Sequence, residues 1–223
     1  MEFVQNIQQG MSSSVFLVTW AVLALLSLGW LLYELRTQNP NTMGMMKAVW
    51  ILTVMYSGPI GLLIYYYSGR SQIRRDSIWR KGFRSVAHCY SGCGAGEITG
   101  LLIAVGIMTL GNVGIALMTL SFAYLFGFAM TMGPLMQSGV GFKTALLDTV
   151  YSETLTIGVM EAVAISVDLY LSAGAQIWDT LFWSSLIVSL SLGLLAAYPV
   201  NVALIKLGVK EGMGDPRDPH HHH

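Results

Sequence analysis

The sequence predicts an all-α membrane protein, built as a bundle of six transmembrane helices. Two observations lead to this fold class. The chain of 223 residues is 54% hydrophobic and only 11% charged, and that charged fraction is about half the value of a soluble domain. Its apolar residues are grouped in runs of about 20, which is the length that a helix needs to cross a bilayer.

Six apolar segments meet this length. In chain order they are residues 15–35, 45–67, 85–110, 115–137, 144–171 and 178–207. A basic stretch at 70–84 separates the second from the third, and a glycine-containing turn at 111–114 precedes the fourth. We expect residues 1–213 to form one six-helix domain. The histidine-ended tail 214–223 is set aside as an expression-tag remnant.

Prolines interrupt the second, fourth and sixth segments at Pro59, Pro134 and Pro199. A proline removes one helical hydrogen bond and frees a carbonyl, which membrane helices tolerate where a neighbour or a cavity satisfies it. These positions indicate either ordinary kinks or three related helical pairs. The fifth segment has no proline and is marked instead by its acidic residues.

The distribution of Lys and Arg predicts the orientation of the chain. Six of these residues lie in the 70–84 stretch and four lie in the fourth loop, at the end of the last span or after it, whereas Arg36 and Lys47 alone fall on the other side. Because cytoplasmic loops are enriched in Lys and Arg, we expect both termini and the 70–84 stretch in the cytoplasm. Residues 77–84 form either an interfacial helix or a solvated loop. Anionic lipid is the expected partner here, and no nucleic-acid-binding motif is present.

A cluster of chemically active side chains opens the third segment. The one histidine that precedes the tag, His88, is followed by Cys89, Cys93 and Glu97. On a helix the last three share one face, at i, i+4 and i+8, while His88 is offset by about 100°. An imidazole, two thiols and a carboxylate are typical metal ligands. The cysteines are four residues apart, so we expect free thiols or thiolate ligands rather than a disulfide.

Three glycines form a second stripe on the same helix. Gly92, Gly96 and Gly100 make a double G-x-x-x-G pattern, which lets another helix approach closely. We therefore expect the thiols to border a tight helix contact. A homo-oligomer contact through these glycines is a further expectation.

Acidic residues in the fifth segment are the expected partners of this cluster. Asp148, Glu153, Glu161 and Asp168 all lie in one predicted span, and ionisable groups inside a membrane commonly mark an ion or proton path. Glu153 and Met160 share a face, and the expected depth of Glu153 places it opposite Glu97, with which it would share an ion or a proton. The alternative is a set of protonated carboxyls that only hydrogen-bond between helices.

Two stretches resemble the motifs of an uncharacterised family of bacterial and archaeal membrane proteins. Residues 85–97 match a His-Cys-x-x-Gly-Cys-x-x-Gly-Asp/Glu pattern, and residues 151–161 look like a second motif of that family. The family usually has Asn at the position of Glu161. The resemblance implies a prokaryotic plasma (inner) membrane protein with several spans, and it implies no particular activity.

These features predict a transporter or channel for a soft transition-metal ion, with Cu(I) favoured over Zn(II). His88, Cys89 and Cys93 would form an inner site, and a deeper set would hold the ion next. That deeper set is Glu97, Glu153 and Met160. The main alternative is a membrane redox enzyme that uses the two cysteines with a quinone or a metal cofactor, so whether the protein is an enzyme stays open. A third reading is a structural subunit of a membrane complex.

Overall fold

The computed structural model describes residues 2–137, 139–172, 174–213 and 215–217. These ranges are all-α and contain eight α-helices. The helices are α1 (Glu2–Met11), α2 (Ser14–Thr37), α3 (Gly44–Ser57), α4 (Pro59–Ser68), α5 (Ile78–Leu101), α6 (Asn112–Gln137), α7 (Phe142–Ser172) and α8 (Thr180–Lys206). A π-helical segment, Leu102–Ile107, continues α5.

Five helices are long and apolar enough to cross a membrane: α2, α5 with its π-helical extension, α6, α7 and α8. The protein is therefore a multi-pass membrane protein. The helices α3 and α4 have 14 and 10 residues. At about 1.5 Å per residue, neither can cross a hydrocarbon core of about 30 Å alone.

The expected second span, residues 45–67, is a helical hairpin. Its two helices meet at Gly58, which has a φ of 53°, and Pro59 occupies the first turn of α4, where a missing N–H costs no helical hydrogen bond. Trp50 of α3 packs edge-on against Tyr65 of α4, with ring centroids 5.4 Å apart. The chain thus reverses at Gly58, and α4 runs back alongside α3.

Contacts with α5 give the direction of this hairpin. Thr53 of α3 donates a hydrogen bond to the carbonyl of Ala87 at 3.4 Å, and Tyr56, one turn later, packs against Tyr90 with centroids 5.8 Å apart. The helix α3 therefore runs parallel to α5, and α4 runs antiparallel to it. The hairpin enters and leaves at the end of the bundle where α5 begins. A hydropathy pattern measures the length of an apolar run and not its direction, which is why the sequence predicted a crossing helix here.

The last turn of α2 lies at that same end. Glu34 forms an ion pair with Arg70 at 3.1 Å, and the side-chain oxygen of Asn39 accepts hydrogen bonds from the backbone and the hydroxyl of Ser71 at 3.0 and 2.7 Å. Arg36 and Lys47, expected on the opposite side, consequently join the other basic residues. All twelve Lys and Arg residues of the chain now lie toward the end that carries residues 70–84, which we call the basic end.

The N-terminal helix α1 lies at the other end of the bundle. The side chain of Gln8 donates to the carbonyls of Tyr170 and Leu171 at 3.4 and 3.2 Å, in the last turn of α7. Since α7 starts at the basic end, these contacts place α1 opposite to it. The expectation that both termini share one side thus disagrees with the positions of α1 and of the segment after α8.

The glycine stripe on α5 is covered by α6 of the same chain. A Cβ on Gly100 would lie 2.8 Å from the Cα of Thr119, and one on Gly96 would collide with the backbone carbonyl of Phe122. The predicted close helix contact is present, but its partner is internal. These glycines are therefore buried and offer no surface to a second copy of the chain.

Replacing Gly96 by alanine is expected to lower the free energy of unfolding by about 1–3 kcal/mol, because α5 and α6 must separate to admit the methyl group. The matched control is Gly29→Ala on α2, where a Cβ would meet nothing within 4 Å. This control should be neutral or stabilising by up to about 1 kcal/mol. Thermal unfolding of the detergent-solubilised protein measures both. Equal stability of the two variants would contradict the proposed tight contact.

Candidate functional site

The two thiols lie on one face of α5, as their spacing predicts. The sulfurs of Cys89 and Cys93 are 3.8 Å apart, neither cysteine is in a disulfide, and their exposed fractions are 1% and 0%. Ser77 caps the start of α5 by accepting a hydrogen bond from the backbone of Arg80. The helix is continuous through both cysteines, so the pair is held by regular helical geometry.

Neighbouring helices close over the thiol pair. A Cβ on Gly127 of α6 would lie 2.8 Å from the sulfur of Cys93 and 2.9 Å from Ile157 of α7. The small residue on α6 therefore makes room for the thiol. Met160, one turn along α7 from Ile157, is buried and packs beside Gly193 of α8. The pair consequently lies in the interior formed by α5, α6 and α7.

The predicted ligand residues do not converge on one point. Within the described ranges, no group of three or more His, Cys, Asp or Glu side chains is close enough to hold a metal ion. The six predicted site residues are instead distributed along the interior of the bundle. They are His88, Cys89, Cys93, Glu97, Glu153 and Met160, and every one of them is buried.

His88 lies next to the thiol pair in sequence but has different neighbours. Its imidazole lies against the backbone of Met130 on α6 and interacts electrostatically with Lys210. Its Nδ1 atom is buried and finds no hydrogen-bond partner in the described part of the chain. The 100° offset expected from the sequence thus directs the imidazole away from the thiols.

Glu153 has a partner that the sequence did not indicate. Its carboxylate forms an ion pair with the ammonium of Lys210 at 2.7 Å, and both side chains are largely buried. The chain reaches this position by reversing after α8, where Gly208 has a φ of 71° and the backbone of Lys210 donates to the carbonyl of Leu204 at 3.3 Å. The expected pairing of Glu153 with Glu97 is replaced by this ion pair.

Glu97 is grouped with the other two acidic residues of α7. It interacts electrostatically with Asp168, and Glu161 interacts with Glu97. Glu97 and Glu161 are 1% and 0% exposed. One oxygen of Glu97 and both oxygens of Glu161 lack a hydrogen-bond partner among the described residues. Asp168 accepts a hydrogen bond from the hydroxyl of Ser185 on α8 at 2.8 Å.

A cavity of about 120 Å³ opens next to Asp168. Its lining includes Asn112 at the start of α6 and Gln176 between α7 and α8, so it lies at the end of the bundle opposite the basic end. Asp168 is the acidic residue in its wall. The carboxylates of α7 therefore extend from this cavity toward the thiol pair.

Two further groups of side chains lie outside the buried set or at the basic end. Asp148, one of the expected acidic partners, has an exposed side chain on α7, so it is not part of the buried set. The methionines Met43, Met45 and Met46 lie at the start of α3. They are therefore at the basic end.

The chain belongs to a membrane-protein family defined by a domain of unknown function, DUF4396, whose sequence profile matches residues 78–210. This match begins with α5 and ends with Lys210, so it includes the thiol pair, the buried carboxylates and the ion pair. No curated protein and no solved structure matches the chain.

The buried ion pair predicts a specific pattern of stability. Glu153→Gln and Lys210→Met each leave one buried charge unpaired, so each should lower the free energy of unfolding by about 3–5 kcal/mol. The double variant should lose clearly less free energy of unfolding than the two single variants lose together, because no unpaired charge remains. Thermal unfolding in detergent provides the measurement, with Lys143→Met, an exposed lysine, as control. Simple additivity of the two losses would show that the pair is not coupled.

Proposed function

We propose that this protein is a membrane transporter or channel for a soft metal cation, with Cu(I) favoured over Zn(II). The observation that carries the proposal is the pair of buried, unbridged thiols 3.8 Å apart. The pair lies in the same bundle interior as the buried carboxylates. Thiolates are soft ligands and select such ions. A thiol pair enclosed in a membrane bundle is also poorly placed for exchange with soluble thiols.

The small number of ligands favours Cu(I). Structural zinc sites need four ligands and catalytic ones need three, while the described residues supply no such group. Two metal–sulfur bonds of about 2.3 Å span at most about 4.6 Å. The separation of 3.8 Å between the two sulfurs is therefore one that a single ion can bridge, with a small rotamer change opening the angle.

Buried polar groups on both sides of the thiols supply a route. Toward the basic end lie His88 and the Glu153–Lys210 pair, and toward the opposite cavity lie Glu97, Glu161 and Asp168. Polar side chains are costly in the membrane interior and are retained mainly along pathways. In this proposal an ion passes through the thiol pair, and the ion pair blocks its way at the basic end until Lys210 moves aside.

The membrane topology that we propose has five crossing helices and one re-entrant hairpin, α3–α4. An odd number of crossings places α1 and the segment after α8 on opposite sides, in agreement with the contacts of Gln8. The location of all twelve Lys and Arg residues at the basic end supports a cytoplasmic position for that end. The membrane in question is the plasma (inner) membrane of a prokaryote.

Anionic lipid is the proposed partner of the basic end. Arg74 and Arg75 are exposed, and Trp79 is 48% exposed, at the level where an aromatic ring meets lipid headgroups. Arg70, Arg74 and Arg80 line a shallow cavity of about 260 Å³. Clustered guanidinium groups of this kind suit a phosphate headgroup.

Metal content tests the proposed function. Cys89→Ser and Cys93→Ser should each reduce the Cu(I) bound per protein to nearly that of the double variant, because one remaining thiolate loses the two-point geometry. Ser91→Ala lies between the two cysteines on another face of α5 and serves as control. Elemental analysis after equilibration with buffered Cu(I) gives the ratio. Full metal content in the double variant would refute the metal site, and a co-purified quinone or haem would favour the redox alternative.

Cysteine labelling tests the topology. In a variant lacking both native cysteines, an impermeant thiol reagent applied to intact cells should label Ser12→Cys and Gly111→Cys. It should not label Asn41→Cys or Ser71→Cys, because the hairpin returns both flanking segments to the cytoplasm. A six-span arrangement with a cytoplasmic N-terminus predicts the reverse at positions 12 and 41. Labelling of Asn41→Cys in intact cells would therefore exclude the re-entrant hairpin.

A further inference from the structure

The cavity opposite the basic end combines a buried carboxylate with access from solution. Asp168 in its wall is 5% exposed, whereas the polar lining residues Thr109, Asn112 and Gln176 are exposed. These three residues therefore form a polar rim, and Asp168 lies deeper. At about 30 Å³ per water molecule, a volume of about 120 Å³ has room for a small cation and a few waters. We call this space the Asp168 cavity.

Asp168 has no positively charged partner in the described part of the chain. The hydroxyl of Ser185 donates to one carboxylate oxygen at 2.8 Å, and no described residue donates a hydrogen bond to the other oxygen. Asp168 takes part in none of the ion pairs of the described ranges, because the Lys and Arg residues lie toward the basic end. A buried charge is costly unless it is paired. A cation that enters from solution would supply the missing counter-charge.

The irregular backbone after α5 adds further oxygen atoms to this cavity. The last backbone hydrogen bonds of the π-helical segment are accepted by Ile103 and Ala104. The next carbonyl belongs to Val105, which lines the cavity and accepts no backbone hydrogen bond from a described residue. Carbonyls freed where a membrane helix is interrupted coordinate alkali cations in transporters. Thr109, in the same wall, has a φ of 49°, and residues other than glycine in this region concentrate at binding sites.

We propose that the Asp168 cavity binds a monovalent alkali-metal cation. The oxygen atoms available to it come from the carboxylate of Asp168, the carbonyl of Val105 and the polar rim of Thr109, Asn112 and Gln176. Oxygen ligands of this kind suit hard cations and not the soft ions that thiols select. A single carboxylate balances a single charge, while protein sites for divalent cations commonly carry several carboxylates. The proposal therefore goes beyond the soft-metal function and does not depend on it.

Thermal unfolding of the purified full-length protein in detergent tests the site. When NaCl replaces choline chloride at constant ionic strength, the Tm should rise and then saturate, because a ligand of the native state stabilises it. Asp168→Asn keeps the side-chain volume and an acceptor for Ser185. It should weaken the apparent Na⁺ affinity by at least about tenfold, since even the loss of a residue behind a ligand commonly costs that much. Asp148→Asn, on the exposed face of the same helix, should respond to Na⁺ like the unmodified protein.

Equilibrium binding of radioactive sodium provides a second measurement. The unmodified protein should bind Na⁺ saturably, and Ala175→Leu, which keeps Asp168 but fills part of the cavity, should bind less. Displacement of Na⁺ by K⁺ would identify K⁺ as a further ligand of the same class. The same Na⁺ affinity in Asp168→Asn and Ala175→Leu as in the unmodified protein, or no saturable binding of either ion, would overturn the proposal. Absence of Cu(I) binding would refute the soft-metal function alone, because the sodium measurements contain no Cu(I).

Discussion

The buried guanidinium of Arg84 is the contact on which the basic end of the bundle depends. It donates to the carbonyl of Ser68 at 3.1 Å, to both oxygens of Asp76 at 3.0 and 2.6 Å, and to the carbonyl of Met213 at 3.3 Å. One side chain thus joins the end of the hairpin, the 70–84 stretch, the start of α5 and the segment after α8. A charge is tolerated in such a position only when it is paired and hydrogen-bonded.

This contact also determines where Lys210 can lie. The segment after α8 is fixed at Met213 by Arg84, and three residues earlier its lysine enters the bundle to pair with Glu153. The ion pair of Arg84 with Asp76 and the buried pair of Lys210 with Glu153 are therefore coupled through a few residues of chain. Loss of Arg84 would therefore free both the hairpin and Lys210, the counter-ion of Glu153. The hairpin and Lys210 do not contact each other in the described structure.

The helix α5 divides its surface among four neighbours: α6, α7, the hairpin and α8, where Ser85 donates a hydrogen bond to Asn201 at 3.0 Å. The glycine face meets α6, the thiols face the side where α6 and α7 meet, and Tyr90 meets Tyr56 of the hairpin. Little of the α5 surface can contact lipid, since most of its residues from Arg84 onward are buried. This enclosure is what allows an imidazole, two thiols and a carboxylate to occupy consecutive turns of one membrane helix.

Local patterns in the sequence were sufficient for part of this arrangement. The i, i+4 spacing of the cysteines and the glycine stripe are properties of a single helix, so both were predictable. The pairing of Glu153 with Lys210 joins residues 57 apart through a chain reversal at Gly208, and helical periodicity carries no information about such a contact. The hairpin was missed for a related reason. Gly58 and Pro59 were visible as a break, but a break does not state whether the chain continues or turns back.

The re-entrant hairpin has a consequence for how the chain is inserted into the membrane. In the topology proposed above, α3–α4 returns to the side on which it started, and α2 alone carries whatever precedes it across the bilayer. Residues 1–13 contain no Lys or Arg and one acidic residue, Glu2, so in that topology α1 brings no Lys or Arg side chain across the bilayer. The basic residues that follow α2 then hold its far end in place. In that arrangement the charges that follow α2 govern its insertion, and the hairpin folds back into the bundle without itself being exported.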